Sequence, residues 1–436
     1  MRVITSNGEG VFLERDAIDF TSGEGPLGPA ITIGEQPGQP MLGFGAALTD
    51  AACWMLNQLR EDRRDALLRE VFAPDGMNYS LARVCVGASD YARVPYCHDD
   101  VPGDVELKHF SLDYDRQYIL PLLRQARAIN PDLFLYSSPW SPPGWMKTSG
   151  AMQGGWMLQK YIEPYARYYL KFLEGYRAEG VTLNGLTTQN EAETDQISRM
   201  PACLWHPDFE AEFVRTLRPL LTAAGFEDMK IWLMDHNWVM WNRVLYLLGD
   251  PATAAAVDGV AWHPYEGVPQ MGAWVKEAHP DKEMHWTEGG VGLGTADYRT
   301  DFPHWAKTFI EAIRAGCQSI TAWNLALDQN GYPNVGHFNC AGTVTINRDT
   351  LEITRSGQFY ALGHFSRFVQ RGARYLPSDG HLLPDYYSHA AFRNPDGSHV
   401  LVIGNSLNEN HWLTVECGDR RARVWVLRNS ITTLTW

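Results

Sequence analysis

The chain has no Cys-x-x-Cys pair, and its seven cysteines, at positions 53, 85, 97, 203, 317, 340 and 417, are odd in number. Neither a disulfide framework nor a thiolate zinc site is signalled, and the thiols are expected to be reduced. Positive charge is also scarce: 37 Lys and Arg stand against 51 Asp and Glu, a formal net charge of −14. Phosphate backbones and anionic lipid surfaces would repel such a chain, so nucleic acid is set aside as a partner. No apolar run approaches the roughly 18 residues of a membrane span, and Met1-Arg-Val-Ile-Thr-Ser-Asn-Gly8 has no apolar core of a leader. The expectation is a cytoplasmic protein without a membrane anchor. Internal repeats, low-complexity tracts and long charge runs are missing too, which excludes solenoids and disordered tails.

At 436 residues the chain exceeds one ordinary domain and suits a large unit with a smaller companion. Its centre is Gly185-Leu-Thr-Thr-Gln-Asn-Glu191, a short strand that runs out into an Asn-Glu pair. A second Glu follows another strand at Met284-His-Trp-Thr-Glu288-Gly-Gly290. Three βα units of about 31 residues each come close to the distance between them, so that Glu191 would end strand 4 and Glu288 strand 7 of a (β/α)8 barrel. Side chains at those strand ends converge on one cleft. The remaining units fit: strands at 41–48, 81–87, 133–138, 230–235, 259–263 and 320–324, with helices at 49–60 and 161–177. Asp90, Trp140, Asp235, His236, His263, Tyr265, Trp323 and Asn324 then fall at or just beyond strand ends. Twelve of the 16 tryptophans lie between Trp140 and Trp323, and indole rings near strand ends suit the apolar faces of sugars.

The flanks read differently. Residues 1–38 show brief apolar alternation (Val11, Leu13; Ile31, Ile33), and residues 371–436 show period-2 runs such as His399-Val-Leu-Val-Ile403 after a hairpin turn at Asn394-Pro-Asp-Gly397. A hairpin alone is marginal, so the two ends are expected to form one β-sandwich beside a barrel at 39–370.

Several segments carry a resemblance: Gly43-Phe-Gly-Ala-Ala-Leu-Thr-Asp50, Ser138-Pro-Trp-Ser-Pro-Pro-Gly-Trp-Met-Lys147, Thr188-Gln-Asn-Glu191, Trp286-Thr-Glu-Gly289, Trp323-Asn-Leu-Ala-Leu-Asp328 and Gly363-His-Phe-Ser-Arg-Phe368. Together, and in this order, they resemble glycoside hydrolase family 30, with its glucosylceramidase-like branch and the link to sphingolipid metabolism. The resemblance implies a TIM barrel with a side β-sandwich and retention at the anomeric carbon, with no metal or other cofactor. It makes Glu191 the general acid/base and Glu288 the nucleophile, and it places Asp90, Trp140, Asn190, His263, Tyr265 and Trp323 around the sugar. The chain departs from the family pattern at Ala192, where many relatives have proline, and at 334–345. Because two close carboxyls cannot both ionise easily, Glu191 is expected to have the raised pKa and Glu288 to stay charged. The leading reading is an exo-acting β-glucosidase acting on soluble β-glucosides or short oligosaccharides. The alternatives are a β-1,6-glucanase, β-xylosidase, β-fucosidase or glucosylceramidase on the same scaffold, and a non-catalytic sugar-binding protein.

Overall fold

Eight parallel strands close into a barrel in the computed structural model, which describes residues 1–22, 29–295, 297–380 and 386–436. In chain order these are β1 (Gly43–Leu48), β2 (Leu81–Val86), β3 (Phe134–Pro139), β4 (Gly185–Thr187), β5 (Lys230–Asn237), β6 (Gly259–His263), β7 (Glu283–Trp286) and β8 (Ser319–Ala322). Each pairs with the next, and β8 pairs with β1 through Ile320 and Phe44. All are buried along nearly their whole length, which is why they read as continuous apolar runs rather than as alternation. At Gly45 a Cβ would stand 1.7 Å from the Leu81 carbonyl oxygen, so only glycine lets β1 and β2 lie side by side there.

Local chemistry sets the helices between the strands. Thr49 caps the helix Asp50–Gln58 by accepting from the Ala52 amide at 3.1 Å, and prolines open the helices Pro207–Ala223, Pro251–Ala256 and Pro269–Ala278. In β5, Met234 and Asp235 take positive φ and the pairing with β6 slips by one residue between Ala261 and Trp262. This bulge carries β5 on to Asn237, two residues past the expected end, and turns Asp235 inward.

Both ends of the chain build the second unit. One sheet orders the strands Arg374–Leu376, Tyr387–Arg393, His399–Asn405, Ser430–Thr435, Arg2–Asn7 and Gly10–Arg15. The other orders Ser378–Gly380, Ala30–Ile33, His411–Cys417, Arg420–Val426 and Thr21–Ser22. Ile31, Ile33, Leu401, Ile403, Leu413 and Val424 fill the space between them. Parts of the expected terminal segments, at 23–28 and 381–385, lie outside the described residues. The alternation at Val11 and Leu13 does lie on a strand; both side chains are exposed, and Phe12, at φ 50°, turns in to stack on His364. The six-stranded sheet packs on the barrel through the helices Phe302–Arg314 and Gly357–Ser366. There the buried His364 ring bridges Ser6 Oγ at 2.7 Å and Thr433 Oγ1 at 2.8 Å. All seven cysteines are free. No helix among the described residues is long and apolar enough to cross a membrane.

Candidate active site

The extension of β4 is held from both sides as it leaves the barrel. Thr188 Oγ1 donates to Glu210 Oε1 at 2.6 Å, and Gln189 Nε2 donates to the Trp140 carbonyl at 2.7 Å. The Glu191 amide donates to the Asp235 carbonyl, with Glu191 itself at φ 52°. Opposite, β7 continues through Thr287, whose hydroxyl donates to Asp235 Oδ1 at 2.7 Å, and so presents Glu288. Glu191 and Glu288 both line a cavity of about 500 Å³ at the C-terminal end of the barrel. Asp90, Trp140, Asn190, Tyr265 and Trp323 line it too.

Sequence reasoning missed Arg83, the residue that organises this cavity. It lies fully buried in the middle of β2, where an uncompensated charge would be very costly. Its Nη1 donates to Glu288 Oε2 at 2.6 Å, and its Nη2 donates to Asp235 Oδ2 at 2.7 Å and to Asn190 Oδ1 at 2.9 Å. Nε donates to Ser138 Oγ at 2.9 Å. The guanidinium lies 4.6 Å from the Trp140 ring and 5.3 Å from the Trp323 ring, and those two indoles stack on each other at 5.0 Å. The signal was available: a lone arginine inside the apolar strand Leu-Ala-Arg-Val-Cys-Val must have buried partners.

His263 does not line the cavity but stands behind it, fully buried, between Asp235 Oδ1 at 3.0 Å and Glu191 Oε1 at 3.3 Å. Burial opposes its charge, yet the Glu288 carboxylate and the bonds to Asp235 and Glu191 push its pKa up to about 9. Tyr265 is 47% exposed, and its hydroxyl donates to Glu288 Oε1 at 2.9 Å. Asn190 spends its carbonyl on Arg83 and keeps its amide group for the cavity. Asp90 is buried with Oδ1 unpartnered, and burial together with the charges of Glu288 and Glu191 raises its pKa well above the ordinary range.

The expected order of the two carboxyl pKa values is reversed. Burial raises Glu191, but the hydrogen bond from His263 and the charges of His236 and His263 outweigh it, and Glu191 ends below its ordinary value. Burial also raises Glu288, and although His263 and Arg83 oppose this, the charge on Glu191 helps to leave Glu288 above its ordinary value. The two titrate as a pair, so the proton belongs to the cluster rather than to one residue. Arg83 can donate to Glu288 but can accept nothing from it, so this contact fits the ionised form. His263, whose pKa the surrounding carboxylates raise, carries a proton that it shares with Glu191 through one hydrogen bond. Glu191, His263 and Glu288 bring three potential metal-donor atoms within 4.8 Å of one another. Those of Glu288 and His263 already hydrogen-bond Arg83, Tyr265 and Asp235.

A larger cavity, about 1040 Å³, lies on the sandwich between Trp412, Trp425, Arg15 and Arg423. Its acidic residues, Asp16 and Asp19, are exposed, and it holds no buried carboxyl pair.

Residues 41–369 match the glycosyl hydrolase family 30 TIM-barrel domain, and residues 379–434 match the beta sandwich domain of the same family. The chain belongs to glycoside hydrolase family 30. As a member it is a hydrolase of glycosidic bonds, and its substrate is carbohydrate. It is 31% identical over 428 residues to an endo-1,6-beta-D-glucanase of Neurospora crassa, covering 92% of this chain and 87% of that one. It is 30% identical over 436 residues to the putative glucosylceramidase 4 of Caenorhabditis elegans, covering 95% and 83%. Among solved structures, SrfJ from Salmonella typhimurium superposes with a TM-score of 0.94 at 28% identity, covering all of this chain and 99% of the other.

Proposed function

We propose that this family 30 enzyme is a retaining β-glucosidase that removes terminal glucose from soluble β-glucosides and short gluco-oligosaccharides. The observation that carries the reading is the opposed pair: one oxygen of Glu191 and one of Glu288 lie within 4.8 Å of each other across the cavity. Retaining enzymes hold their carboxyls about 5 to 5.5 Å apart, and a wider gap would admit a water for inversion. In the first step a Glu288 oxygen bonds to the anomeric carbon. The bond from that carbon to the leaving oxygen breaks, and Glu191 passes to that oxygen a proton it has received from His263, which leaves Glu191 ionised for the second step. In the second step water attacks the anomeric carbon, Glu191 takes its proton, and the ester to Glu288 opens. Asn190 meets the sugar 2-hydroxyl with its free amide group, an interaction that strengthens in the transition state. Asp90, Trp140 and Trp323, buried side chains in the cavity wall, are available to grip one sugar, which favours cleavage of a terminal unit.

Glu288→Gln should be folded and inactive, since an amide cannot form the glycosyl ester. Glu191→Gln should lose far more activity on a disaccharide than on 2,4-dinitrophenyl β-glucoside, whose leaving group needs little acid help. Near-normal turnover by the first variant, or equal losses by the second, would remove the assignment. An anomeric proton spectrum of the first-formed glucose decides retention. The Neurospora relative favours a second reading, endo cleavage of β-1,6-glucan. In a time course on a β-1,6-linked gluco-oligosaccharide, early glucose supports the exo reading and early internal fragments the endo one. The net charge of −14 opposes docking on anionic membranes, so glucosylceramide in anionic vesicles should be cleaved more slowly than soluble glucosides.

A further inference from the structure

The segment that follows Glu191 is bent back over the cavity in an unusual backbone state. Gln196, Ile197 and Ser198 are all left-handed, at φ 53°, 53° and 54°, and none is glycine. Such a run is unfavourable for L-residues and persists only where neighbouring contacts impose it. Those contacts are present. Glu193 is tied to Arg243, and Asp195 accepts from the Ile197 amide at 3.0 Å. The Gln196 amide nitrogen donates to Glu191 Oε2 at 2.9 Å, and its carbonyl accepts from Arg199 at 3.4 Å. The Arg199 guanidinium lies 4.0 Å from the Phe338 ring, which lines the cavity together with Gln196. The apex, Ile197, is 90% exposed, so nothing packed outside holds the segment down.

The hydrogen bonds on Glu191 leave a conflict. Oε1 faces His263 at 3.3 Å and His236 at 3.9 Å, both on barrel strands, while Oε2 is occupied by Gln196. A glycosidic oxygen that is to take a proton from Glu191 needs one of those two positions. The histidines are fixed by the barrel; Gln196 is fixed only by a strained, outward-facing segment. Resting on the reading of Glu191 as the acid/base, we infer that Gln196 is a positioning and specificity residue that occupies the leaving-group site on Glu191 and, when displaced, hydrogen-bonds a hydroxyl of the leaving sugar. Its amide has both a donor and an acceptor to offer, which a sugar hydroxyl can use and a simple aryl group cannot. The segment therefore selects leaving groups that are themselves sugars.

Gln196→Met keeps the length and removes the hydrogen bonds. Rates with a β-1,6-linked glucose disaccharide and with 2,4-dinitrophenyl β-glucoside should be compared in this variant, in Gln196→Glu and in Glu191→Gln. In Gln196→Met, kcat/KM on the disaccharide should fall about tenfold more than on the aryl glucoside, the worth of one hydrogen bond, mainly through KM. The pH profile gives a second readout. A donor to an ionised carboxylate favours ionisation, so removing it raises the pKa of Glu191. The high-pH limb on the disaccharide, which reports loss of the proton that Glu191 shares with His263, should then move up in Gln196→Met and further in Gln196→Glu. His236, His263, Glu288, Asp90 and Glu193 also face Glu191 or its histidines and stay unchanged in these variants. Equal losses on the two substrates, or a limb that does not move, would overturn the inference. If Glu191→Gln separates the two substrates and Gln196→Met does not, only the role of Gln196 falls. If Glu191→Gln fails to separate them, the assignment of Glu191 falls and takes this inference with it.

Discussion

Arg83 shows how one buried side chain can serve packing and chemistry together. It neutralises Asp235 and Glu288, fixes the Asn190 carbonyl, and supports the stacked Trp140 and Trp323 from beneath. Removing one member of a buried ionic cluster strands the others, at a cost of about 3 to 5 kcal/mol. Arg83→Leu should therefore lower the unfolding free energy by about that much, as read by urea denaturation, and abolish hydrolysis. A variant as stable as the parent would show that water replaces the guanidinium. His364 makes a second residue-scale prediction. Burial, with Arg367 adding to it, lowers its pKa to about 3, so the native state keeps it neutral while the unfolded chain binds a proton near pH 6.5. Its contribution is fully present above that value and is lost as pH falls from about 6.5 toward 3, by at most about 1.4 kcal/mol per pH unit. Urea midpoints at pH 7, 6 and 5 should fall, and His364→Asn should flatten the slope by one proton.

At the scale of the elements, the closeness of β1 to β2 is a constraint that one methyl group would break. Gly45→Ala places a Cβ against the Leu81 carbonyl, backbone against backbone, where no side chain can move aside. The protein should become insoluble or melt far below the parent in a thermal scan; a parent-like melting curve would mean the strands can separate. The barrel strands were legible because buried parallel strands are short apolar runs with turn residues between them, and the two glutamates were legible because they end such runs. The alternation at Val11 and Leu13 marked a strand but not which side is inward, and Phe12 at positive φ is the side chain that turns in. The bulge at Met234 and Asp235 and the left-handed run at 196–198 leave no mark in composition, since each puts ordinary residues in conformations that only tertiary contacts sustain. The order of the carboxyl pKa values was misjudged for a related reason. Mutual repulsion was visible in the sequence, whereas the placement of His263 between Glu191 and Asp235 was not.

The whole molecule is held as one body by the face that the sandwich shares with the helices Phe302–Arg314 and Gly357–Ser366. Deleting residues 373–436 would uncover that face and leave the strands Arg2–Asn7 and Ala30–Ile33 without their partners in the C-terminal segment. The truncated chain should be insoluble or markedly less stable; a barrel that melts like the parent would show two independent units.

The pairing of Arg2–Asn7 with Ser430–Thr435 also sets a timetable for synthesis. Thr5 and Thr432, which share a 3.0 Å hydrogen bond, are separated by 427 positions. At 5 to 20 residues per second, the first strand leaves the ribosome roughly 20 to 90 s before its neighbour exists. The barrel strands can all have emerged in that interval, while the opening hairpin waits with one edge unpaired. Arg2 and Glu14, bonded across the two strands of that hairpin, put charge on the nascent segment for as long as it waits, and charge of this kind discourages pairing with a neighbouring chain on the same message.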